Sequence, residues 1–517
     1  MKKIFKKSKW IHKYIGLVVL VFLIWMSITG IILNHPDIIE KYSVNKAFVP
    51  KTYHPKNWNR STMKGIVIDK NNSAVLYLYG RQGVFFSDNR GKSFVSFMEG
   101  SFPKSPKGRR TNSLYALNNV IVAATNNGIY VLNKNTGRWT KSFIPSDEKE
   151  FVKILRVNDK LLALTKSQVF ESDLSEELNF KEIKLNRDVS VDSIRLIDFF
   201  FSLHDGSIFG IFGKLLWDFA GIVILFLSIS AFYIWYYPKK RKRKFKINNS
   251  YNSDSEKSVF KLLYKYHKKL GWYLGLLVLI ITLTGIFLRP PLIAVLARKA
   301  ISSKFLPSSS NVWNHKIHNA LYDSANEKLV IECKDGIWSG STEGDRVFSR
   351  INIPVNIFAM GATVFDELKK GEWIIGSFGG IATYNVIDKE VNHILPQKPV
   401  SNSVRPASTM ITSYVQMSDS VIYLVGHYKG LCDINGVSLN VIKMPPYIED
   451  NYRMPLWNYM FEIHNARMFR SFIGGLYILI IPLFGILSVL VLLSGFFDYM
   501  YAKYRKKTLR NKSLSKD

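Results

Sequence analysis

The sequence predicts an integral membrane protein in which a four-helix transmembrane bundle, formed by a tandem duplication, carries an all-β part outside the membrane. Three observations lead to this fold class. Four apolar runs interrupt the 517 residues, each long enough to cross about 30 Å of hydrocarbon as a helix. The two long segments between them are rich in short strand-like stretches, and basic residues gather beside the ends of the runs. A soluble enzyme is excluded. The four apolar runs are 14–33, 208–237, 270–288 and 472–497.

The apolar runs divide the chain into segments of contrasting composition. The following list gives the predicted domains in chain order: 1–36, cytoplasmic N-terminus and first span; 37–203, first half of a periplasmic β domain; 204–238, second span; 239–266, basic cytoplasmic loop; 267–289, third span; 290–463, second half of the β domain; 464–500, fourth span; 501–517, basic cytoplasmic tail.

The charge of the chain indicates how it lies in the membrane. Lys and Arg number 71 and Asp and Glu 39, which gives a net charge of +32. Residues 1–13, 238–269 and 501–517 hold 25 of the basic residues and three acidic ones. Short basic segments beside spans mark the cytoplasmic face. We therefore predict a bacterial inner-membrane protein with both termini cytoplasmic. Nucleic-acid binding is disfavoured, because no aromatic-interleaved motif accompanies the charge.

Two further patterns restrict the chemistry. The first apolar run is too long for a cleavable signal peptide and no small-residue cleavage site follows it. Cys333 and Cys432 are the two cysteines, both in the second external segment, so a disulfide between them stays open. No Cys-x-x-Cys-His occurs, which excludes covalently attached c-type haem.

The two halves of the chain are related by a tandem duplication. At an offset of 255 residues, His12 to Gly16 matches His267 to Gly271, and Trp58-Asn59 falls on Trp313-Asn314. His204 corresponds to His464, and a slip of four residues near 472–481 restores the match of 230–232 to 494–496. Both halves have an even number of spans, so the pseudo-twofold axis is expected to run along the membrane normal.

The external segments repeat a strand, a Gly-containing turn and a second short strand. Gly83-Val84-Phe85, Gly128-Ile129-Tyr130 and Gly336-Ile337-Trp338 are copies, spaced in each half by the 40–50 residues typical of propeller blades. Three such units per half predict a six-bladed propeller split between the halves. Two separate small β domains are the alternative.

Four of the ten histidines fall into two repeat-related pairs at the predicted span ends. His12 and His267 begin the odd-numbered spans, and His204 and His464 begin the even-numbered ones. Helices related by the pseudo-twofold axis can bring two imidazoles to one iron from opposite sides, which is bis-histidine haem ligation. The alternative is that these histidines anchor helix ends at the interface.

Other polar residues near the outer span ends are weaker candidates. His35 has no histidine counterpart and is an alternative outer ligand or a helix-ending turn. Lys214 and Asp218, four residues apart, are expected to pair with each other. Arg467 and Arg470 follow His464, and we predict that they bind haem propionates.

His-Lys-Tyr-Ile-Gly (12–16) with Ile28-Thr29-Gly30, its copy from His267 to Gly285, and Leu203-His204-Asp205-Gly206 together resemble the PepSY-associated transmembrane helix family. The resemblance covers the spans and their flanks. It implies an iron-regulated or ferric-siderophore reductase-like inner-membrane protein with b-type haems. It thereby implies that His12, His204, His267 and His464 bind haem. The external segments depart from the family, because a PepSY α+β domain is not recognisable in them.

Together these features predict a haem-containing oxidoreductase that moves electrons outward to a periplasmic ferric chelate such as a siderophore. Two haem b groups are expected, and the electron donor is a membrane quinol or a separate protein. No Gly-x-Gly-x-x-Gly joins a strand to a helix, which disfavours a nucleotide or flavin domain. The alternative is a non-enzymatic membrane-anchored sensor or scaffold whose β domain binds a peptide, glycan or protein. A transporter fits less well, because the spans are mostly apolar.

Overall fold

The protein was analysed as a computed structural model, which describes residues 2–175, 177–188, 193–247, 253–297, 299–302, 311–358, 360–395, 409–418 and 421–514. Parts of two predicted basic segments, 248–252 and 515–517, lie outside the described residues. The chain divides into two compact units. A helical unit comprises Met1–Ile39, Ser193–Pro307 and Trp457–Asp517, and a β unit comprises Glu40–Asp192 and Ser308–Leu456.

Nearly all of the α-helix belongs to the helical unit. In chain order the helices are α1 (Lys2–Asn34), α2 (Pro36–Ile39), α3 (Leu196–His204), α4 (Gly210–Ile247), α5 (Asp254–Tyr273), α6 (Gly275–Phe287), α7 (Ile293–Ala297), α8 (Pro446–Asp450, in the β unit), α9 (Leu456–His464), α10 (Arg470–Ile473) and α11 (Tyr477–Leu514).

Among the described residues, three helices are long and apolar enough to cross a membrane: α1, α4 and α11. The chain is therefore a membrane protein whose helices contact lipid. The predicted third span is not one straight helix, because α5 and α6 meet at Leu274 with a bend of 63° and count as a fourth span only if taken together. Gly275 follows the bend, and a Cβ there would lie 2.5 Å from the Phe496 ring, so glycine permits this close approach of α11.

The β unit is built from short strands, and several of its middle strands are buried along almost their whole length. From the first half come β1 (Ser43–Asn45), β2 (Gly65–Ile68), β3 (Leu76–Gly80), β4 (Gly83–Ser87), β5 (Val95–Ser96), β6 (Thr111–Ala116), β7 (Val120–Thr125), β8 (Gly128–Asn133), β9 (Arg138–Lys141), β10 (Phe151–Val157), β11 (Lys160–Thr165), β12 (Val169–Asp173), β13 (Lys181–Ile183) and β14 (Asn186–Arg187). In the helical unit, β15 (Ser193–Arg195) pairs with β16 (Ala300–Ser302).

The second half supplies the remaining strands of the β unit: β17 (Ile317–Asp323), β18 (Lys328–Cys333), β19 (Gly336–Gly340), β20 (Val347–Ile351), β21 (Val364–Lys369), β22 (Glu372–Ser377), β23 (Gly380–Asn385), β24 (Val391–His393), β25 (Ile411–Ser418), β26 (Val421–Gly426), β27 (Gly430–Cys432) and β28 (Arg453–Pro455), which pairs with β1. Cys333 and Cys432 are both buried and free, so the disulfide left open by the sequence is not formed.

These strands form six successive antiparallel meanders in the described residues: β2–β5, β6–β9, β10–β13, β17–β20, β21–β24 and β25–β27, called sheets 1 to 6. The first strands of neighbouring sheets contact each other, and the first strand of sheet 6 contacts that of sheet 1. A separate apolar cluster fills each of the six interfaces, including the one between sheets 6 and 1. Burial of these clusters stabilises the cyclic arrangement.

The two halves of the β unit exchange contacts. Trp58 and Trp313, matched in the sequence, are both buried, and each indole Nε1–H donates to a carbonyl of the other half. The acceptors are Ile442 O and Leu185 O, each 2.7 Å away. The short β14 of the first half adds in parallel to the edge of sheet 4 in the second half. Each half therefore completes the other.

The duplication is also visible in backbone geometry before the long helices. Gly206 and the equivalent Ala466 both adopt a left-handed conformation, with φ of 78° and 57°. Gly210 and Gly474 likewise share φ near 60° (60° and 57°). In the second half, the four residues of α10 (Arg470–Ile473) are inserted between Ala466 and Gly474 and have no counterpart between Gly206 and Gly210. The predicted four-residue slip therefore lies at the N-terminal end of residues 472–481, the region expected from the sequence.

Trp58 tests the closure between sheets 1 and 6. We expect Trp58→Ala to lower the free energy of unfolding by about 3–5 kcal/mol, because it removes a fully buried side chain and its hydrogen bond. Phe143→Ala is the control, since Phe143 is 86% exposed and its loss should change stability by about 0.5 kcal/mol or less. Denaturant unfolding of the purified chain measures both; equal effects would contradict the closed arrangement.

Candidate functional site

The structure brings together the first of the predicted histidine pairs. His12 on α1 faces His267 on α5, with ring centroids 6.1 Å apart and ring planes at 82°. His12 Nδ1 lies 3.0 Å from Val491 O and 3.5 Å from Ser494 Oγ, both on α11. His267 Nδ1 lies 2.8 Å from Ser230 Oγ on α4. Ser230 and Ser494 are repeat-equivalent, so the two rings are held in the same way.

The second predicted pair is also formed. His204 ends α3 and His464 ends α9, and their ring centroids are 6.4 Å apart with the planes at 53°. His204 Nδ1 lies 3.0 Å from Thr284 Oγ1 and 3.2 Å from Ile281 O on α6. His464 Nδ1 lies 2.8 Å from Thr29 Oγ1 on α1.

The hydrogen bonds assign the tautomer of these rings. Thr29 Oγ1 already donates its proton to Trp25 O of its own helix, so its lone pair accepts the Nδ1–H of His464. Ser230 donates to Leu227 O and in the same way accepts from His267. His12 and His204 donate Nδ1–H directly to backbone carbonyls. In a neutral ring this leaves Nε2 with a free lone pair, the arrangement found in metal-binding histidines.

The separation within each pair suits a metal between the rings. A metal–imidazole nitrogen bond is about 2 Å long, so two rings on opposite sides of one ion have centroids about 6 Å apart. Among the described residues, no group of three or more His, Cys, Asp and Glu is placed to hold an ion. Two imidazoles can by themselves supply two ligands to a metal whose other ligands come from a macrocycle. The role of the four histidines as ligands stays a prediction.

Glycines make room for these rings. A Cβ at Gly285 would lie 3.0 Å from His204 Cε1, and one at Gly30 would lie 3.6 Å from His464 Cε1. At the other pair, a Cβ at Gly495 would lie 3.0 Å from His12 Cε1. Small residues at these helix contacts allow the imidazoles to pack against the neighbouring backbone.

The structure places His35 elsewhere. Its Nε2 lies 2.8 Å from Asp218 Oδ2, and Asn34 donates to Asp218 Oδ1 at 3.0 Å. His35 is therefore engaged with a carboxylate, and its role as an alternative outer ligand stays a prediction. The expected pairing of Lys214 with Asp218 is wrong, because α1 supplies the partners of this carboxylate through its end at Asn34 and the next residue.

The two arginines predicted to bind haem propionates differ in their contacts, and their role stays a prediction. Arg467 forms an ion pair with Glu462 at 3.2 Å, and the structure gives Arg470 no ion pair with a described residue. Arg289, which the sequence analysis did not select, is 7% exposed and donates to Asn465 Oδ1 and O, each at 2.6 Å. Its Nε is buried without a hydrogen-bond partner among the described residues. Asn465 directly follows His464, so this buried cation is anchored next to the outer pair. The available signal was an arginine at the end of an apolar run.

Two repeat-equivalent glycines test the packing around the outer pair. We expect Gly285→Ala to destabilise the chain by about 1–3 kcal/mol relative to Gly30→Ala. The methyl added at residue 285 would lie 3.0 Å from His204, whereas the methyl added at residue 30 would lie 3.6 Å from His464. Both exchanges gain the same helix propensity, so their difference isolates the contact. Thermal unfolding in detergent measures it, and equal shifts for the two variants would contradict the described packing.

Comparison with solved structures finds weak similarity of fold. The extracellular domain of a protein described as a two-component system of B. thetaiotaomicron is 14% identical, with 72% of this chain and 33% of that chain covered at a TM-score of 0.35. YCF48 from Cyanidioschyzon merolae is 8% identical, with coverages of 74% and 82% and a TM-score of 0.33. PorZ, a surface component of the type-IX secretion system of Porphyromonas gingivalis, is 8% identical, with coverages of 71% and 38% and a TM-score of 0.35. The chain thus spans a third of the first of these proteins.

No curated protein matches the sequence. The model of the family described as the PepSY-associated TM region, by contrast, matches residues 9–503, which include both histidine pairs and the β unit between the long helices. The resemblance noted in the short sequence motifs is thereby confirmed over almost the whole chain. The chain belongs to the PepSY-associated TM region family.

Proposed function

We propose that the protein is a haem-containing membrane electron-transfer protein that reduces a ferric chelate during iron acquisition. The observation that supports this most strongly is the presence of two opposed imidazole pairs with centroid separations of 6.1 and 6.4 Å. In all four rings Nδ1 is engaged and Nε2 is left for coordination. One such pair suits one b-type haem, and two pairs suit two.

In this proposal His12 and His267 hold one haem, and His204 and His464 hold the other. Haem with two imidazole ligands supplies one-electron chemistry, because no open position remains for oxygen. The protein's part is to orient the rings through hydroxyls and carbonyls and to exclude water. We propose that Arg467 and Arg470, together with Arg289, bind the propionates beside the outer pair. Reduction to the ferrous state weakens binding by hard oxygen ligands and so releases the iron.

We further propose the membrane placement that the charge suggests: a bacterial inner membrane with both termini cytoplasmic and the β unit periplasmic. In this arrangement α5 and α6 form one bent span beside α1, α4 and α11. The cyclic order of the six sheets supports a six-bladed propeller completed by both halves.

A membrane quinol is the favoured donor, because a lipid-accessible groove lies beside the His12 side of the first pair. The groove, of about 260 Å³, runs between α1 and α11, and its lining is apolar except for Lys7, Ser8 and Ser494. Ser8 Oγ donates to Ser494 O at 3.1 Å. One turn after Ser494, Asp498 has a buried Oδ1 without a hydrogen-bond partner among the described residues.

The duplication indicates that the side chains of Ser8 and Asp498 are not part of the helix packing that the two halves share. At the equivalent positions of the other half, Leu263 replaces Ser8 and Ile234 replaces Asp498. A quinol hydroxyl is a suitable donor to the Asp498 carboxylate. Oxidation of one quinol to quinone releases two electrons and two protons. Two ferric ions accept the electrons, and the protons pass to water at this end of the helices.

The decisive test of the haem proposal is the absorption spectrum of the purified, matured protein. We expect a Soret band, loss of one of two centres in His267→Ala, and retention of the other. Thr29→Val removes the acceptor of His464 Nδ1–H and should weaken haem retention at the outer pair by about 10–100-fold. Thr282→Val is the matched control, because Thr282 bonds only to Val278 O of its own helix. A colourless protein in which all four histidines are dispensable would instead support the sensor or scaffold alternative.

The groove is tested separately with a photoreactive quinone. We expect the label to attach within 4–11 and 490–498, and Leu493→Trp to abolish it by filling the groove. Ile229→Trp is the repeat-equivalent control; Ile229 is 60% exposed and Leu493 50%, so the two changes are alike in setting. Labelling that survives Leu493→Trp would contradict a quinol site. So would labelling that phospholipid displaces as well as an unlabelled quinone does.

A further inference from the structure

The first strands of the six sheets face a common centre in the β unit. Lys153 on β10 of sheet 3 forms an ion pair with Asp366 on β21 of sheet 5, although sheet 4 lies between these sheets in the cyclic order. The same side chain also donates to Phe365 O at 3.4 Å. Side chains from non-adjacent sheets thus meet, so the first strands enclose a shared polar space.

Basic residues enter this space at equivalent places. Lys64 directly precedes β2, the first strand of sheet 1, and Arg110 directly precedes β6, the first strand of sheet 2. Arg81, in the β3–β4 turn, lies close enough to Arg110 for their charges to interact. With Lys153 these residues form the central cationic cluster. Lys64, Arg81, Arg110 and Lys153 are the members of this cluster.

The negative charges nearby are already engaged. Asp366 pairs with Lys153, and Glu150, directly before β10, pairs with Lys166 at 2.8 Å. The side chains of Lys64, Arg81 and Arg110 make no hydrogen bond or ion pair with any described residue. Like charges held close together in a half-buried space with too few counter-charges are costly. The centre of the β unit therefore holds more positive than negative charge.

The electrostatics of Lys64 reflect this deficit. Burial above all, together with repulsion by Arg110 and Lys153, lowers the pKa of Lys64 from 10.5 to about 7, and attraction by Asp366 and Glu150 opposes this shift. Burial also lowers the pKa of Arg110. Tyr79 and Tyr414 stand beside Asp366 and stay neutral, because burial raises their pKa values. An anion entering the cluster would relieve the repulsion.

We propose that the central cationic cluster is a binding site for a small oxyanion ligand with two or more negative charges, bearing phosphate or carboxylate groups. Two guanidinium groups bind such oxygens in a bidentate manner, and the Lys64 ammonium adds a third cation. The tyrosine hydroxyls supply additional donors. This site is independent of the proposed electron transfer and stands whether or not the chain reduces iron.

The site implies a definite pH dependence. The ligand favours protonated Lys64, so its affinity rises as the pH falls through 7. Between pH 8 and pH 6 we expect the affinity to increase about tenfold, with proton uptake on binding near neutral pH. The groups that face Lys64 are Arg110 of sheet 2, Lys153 and Glu150 of sheet 3 and Asp366 of sheet 5.

Isothermal titration calorimetry of the purified full chain tests the proposal, with inorganic phosphate and citrate as probes at pH 8, where both carry two or more charges, and with citrate again at pH 6, where it still does. We expect binding of at least one probe, and Lys64→Met and Arg110→Gln should each weaken it at least tenfold. Lys92→Met is the control, since Lys92 is exposed in the turn after β4 and its loss removes the same charge from the same sheet. Binding by phosphate alone indicates a phosphate-bearing ligand, and binding by citrate alone a polycarboxylate.

Thermal unfolding provides a second measurement that does not depend on tight binding. At pH 6 and without a multivalent anion, Lys64→Met should raise the unfolding temperature, because it removes a half-buried cation that Arg110 and Lys153 repel, whereas Lys92→Met should not. With saturating anion the wild-type chain should gain more stability than Lys64→Met. The proposal is overturned if neither probe binds at millimolar concentration, or if Lys64→Met and Lys92→Met behave alike in both measurements.

Discussion

Each imidazole of the two pairs is oriented by a helix from the opposite half of the chain. The rest of the helical unit depends on this exchange of hydrogen bonds between the two halves. α11 holds His12 and α1 holds His464, while α6 holds His204 and α4 holds His267. The β unit repeats the pattern, since Trp58 and Trp313 each donate to a carbonyl of the other half. Neither half can therefore build a complete pair or a closed cycle of sheets alone.

The exchange also explains how polar rings are tolerated among apolar helices. An imidazole in an apolar environment is costly unless its N–H is satisfied. Serine and threonine serve this purpose, because their own proton returns to the helix backbone and their lone pair remains for the histidine. What is left is one unprotonated nitrogen per ring, directed by hydrogen bonding and packing. In the proposed haem sites, two such nitrogens from separate helices would be pre-organised by the protein, so the geometry would not rely on the ligand alone.

Much of this could be predicted from the sequence, because a duplication carries long-range information. The offset of 255 residues that matches His12 with His267 also implies an axis across which symmetry-related rings meet. The six strand–turn–strand units follow from alternation and glycine spacing. The bend at Leu274 could not be predicted, since hydropathy does not report helix direction. Asp218 was assigned to Lys214 by spacing, but Asn34 at the end of α1 and the following His35 are its partners. Arg289 was missed because its role depends on Asn465, a contact between distant segments.

Haem quantitation combined with low-temperature electron paramagnetic resonance of the oxidised protein tests the central claim most directly. The account predicts two b-type haems per chain, both low-spin, with two distinct signals because the ring planes cross at 82° in one pair and 53° in the other. Protein that is matured and folded yet holds no haem, or holds only high-spin haem, would contradict it.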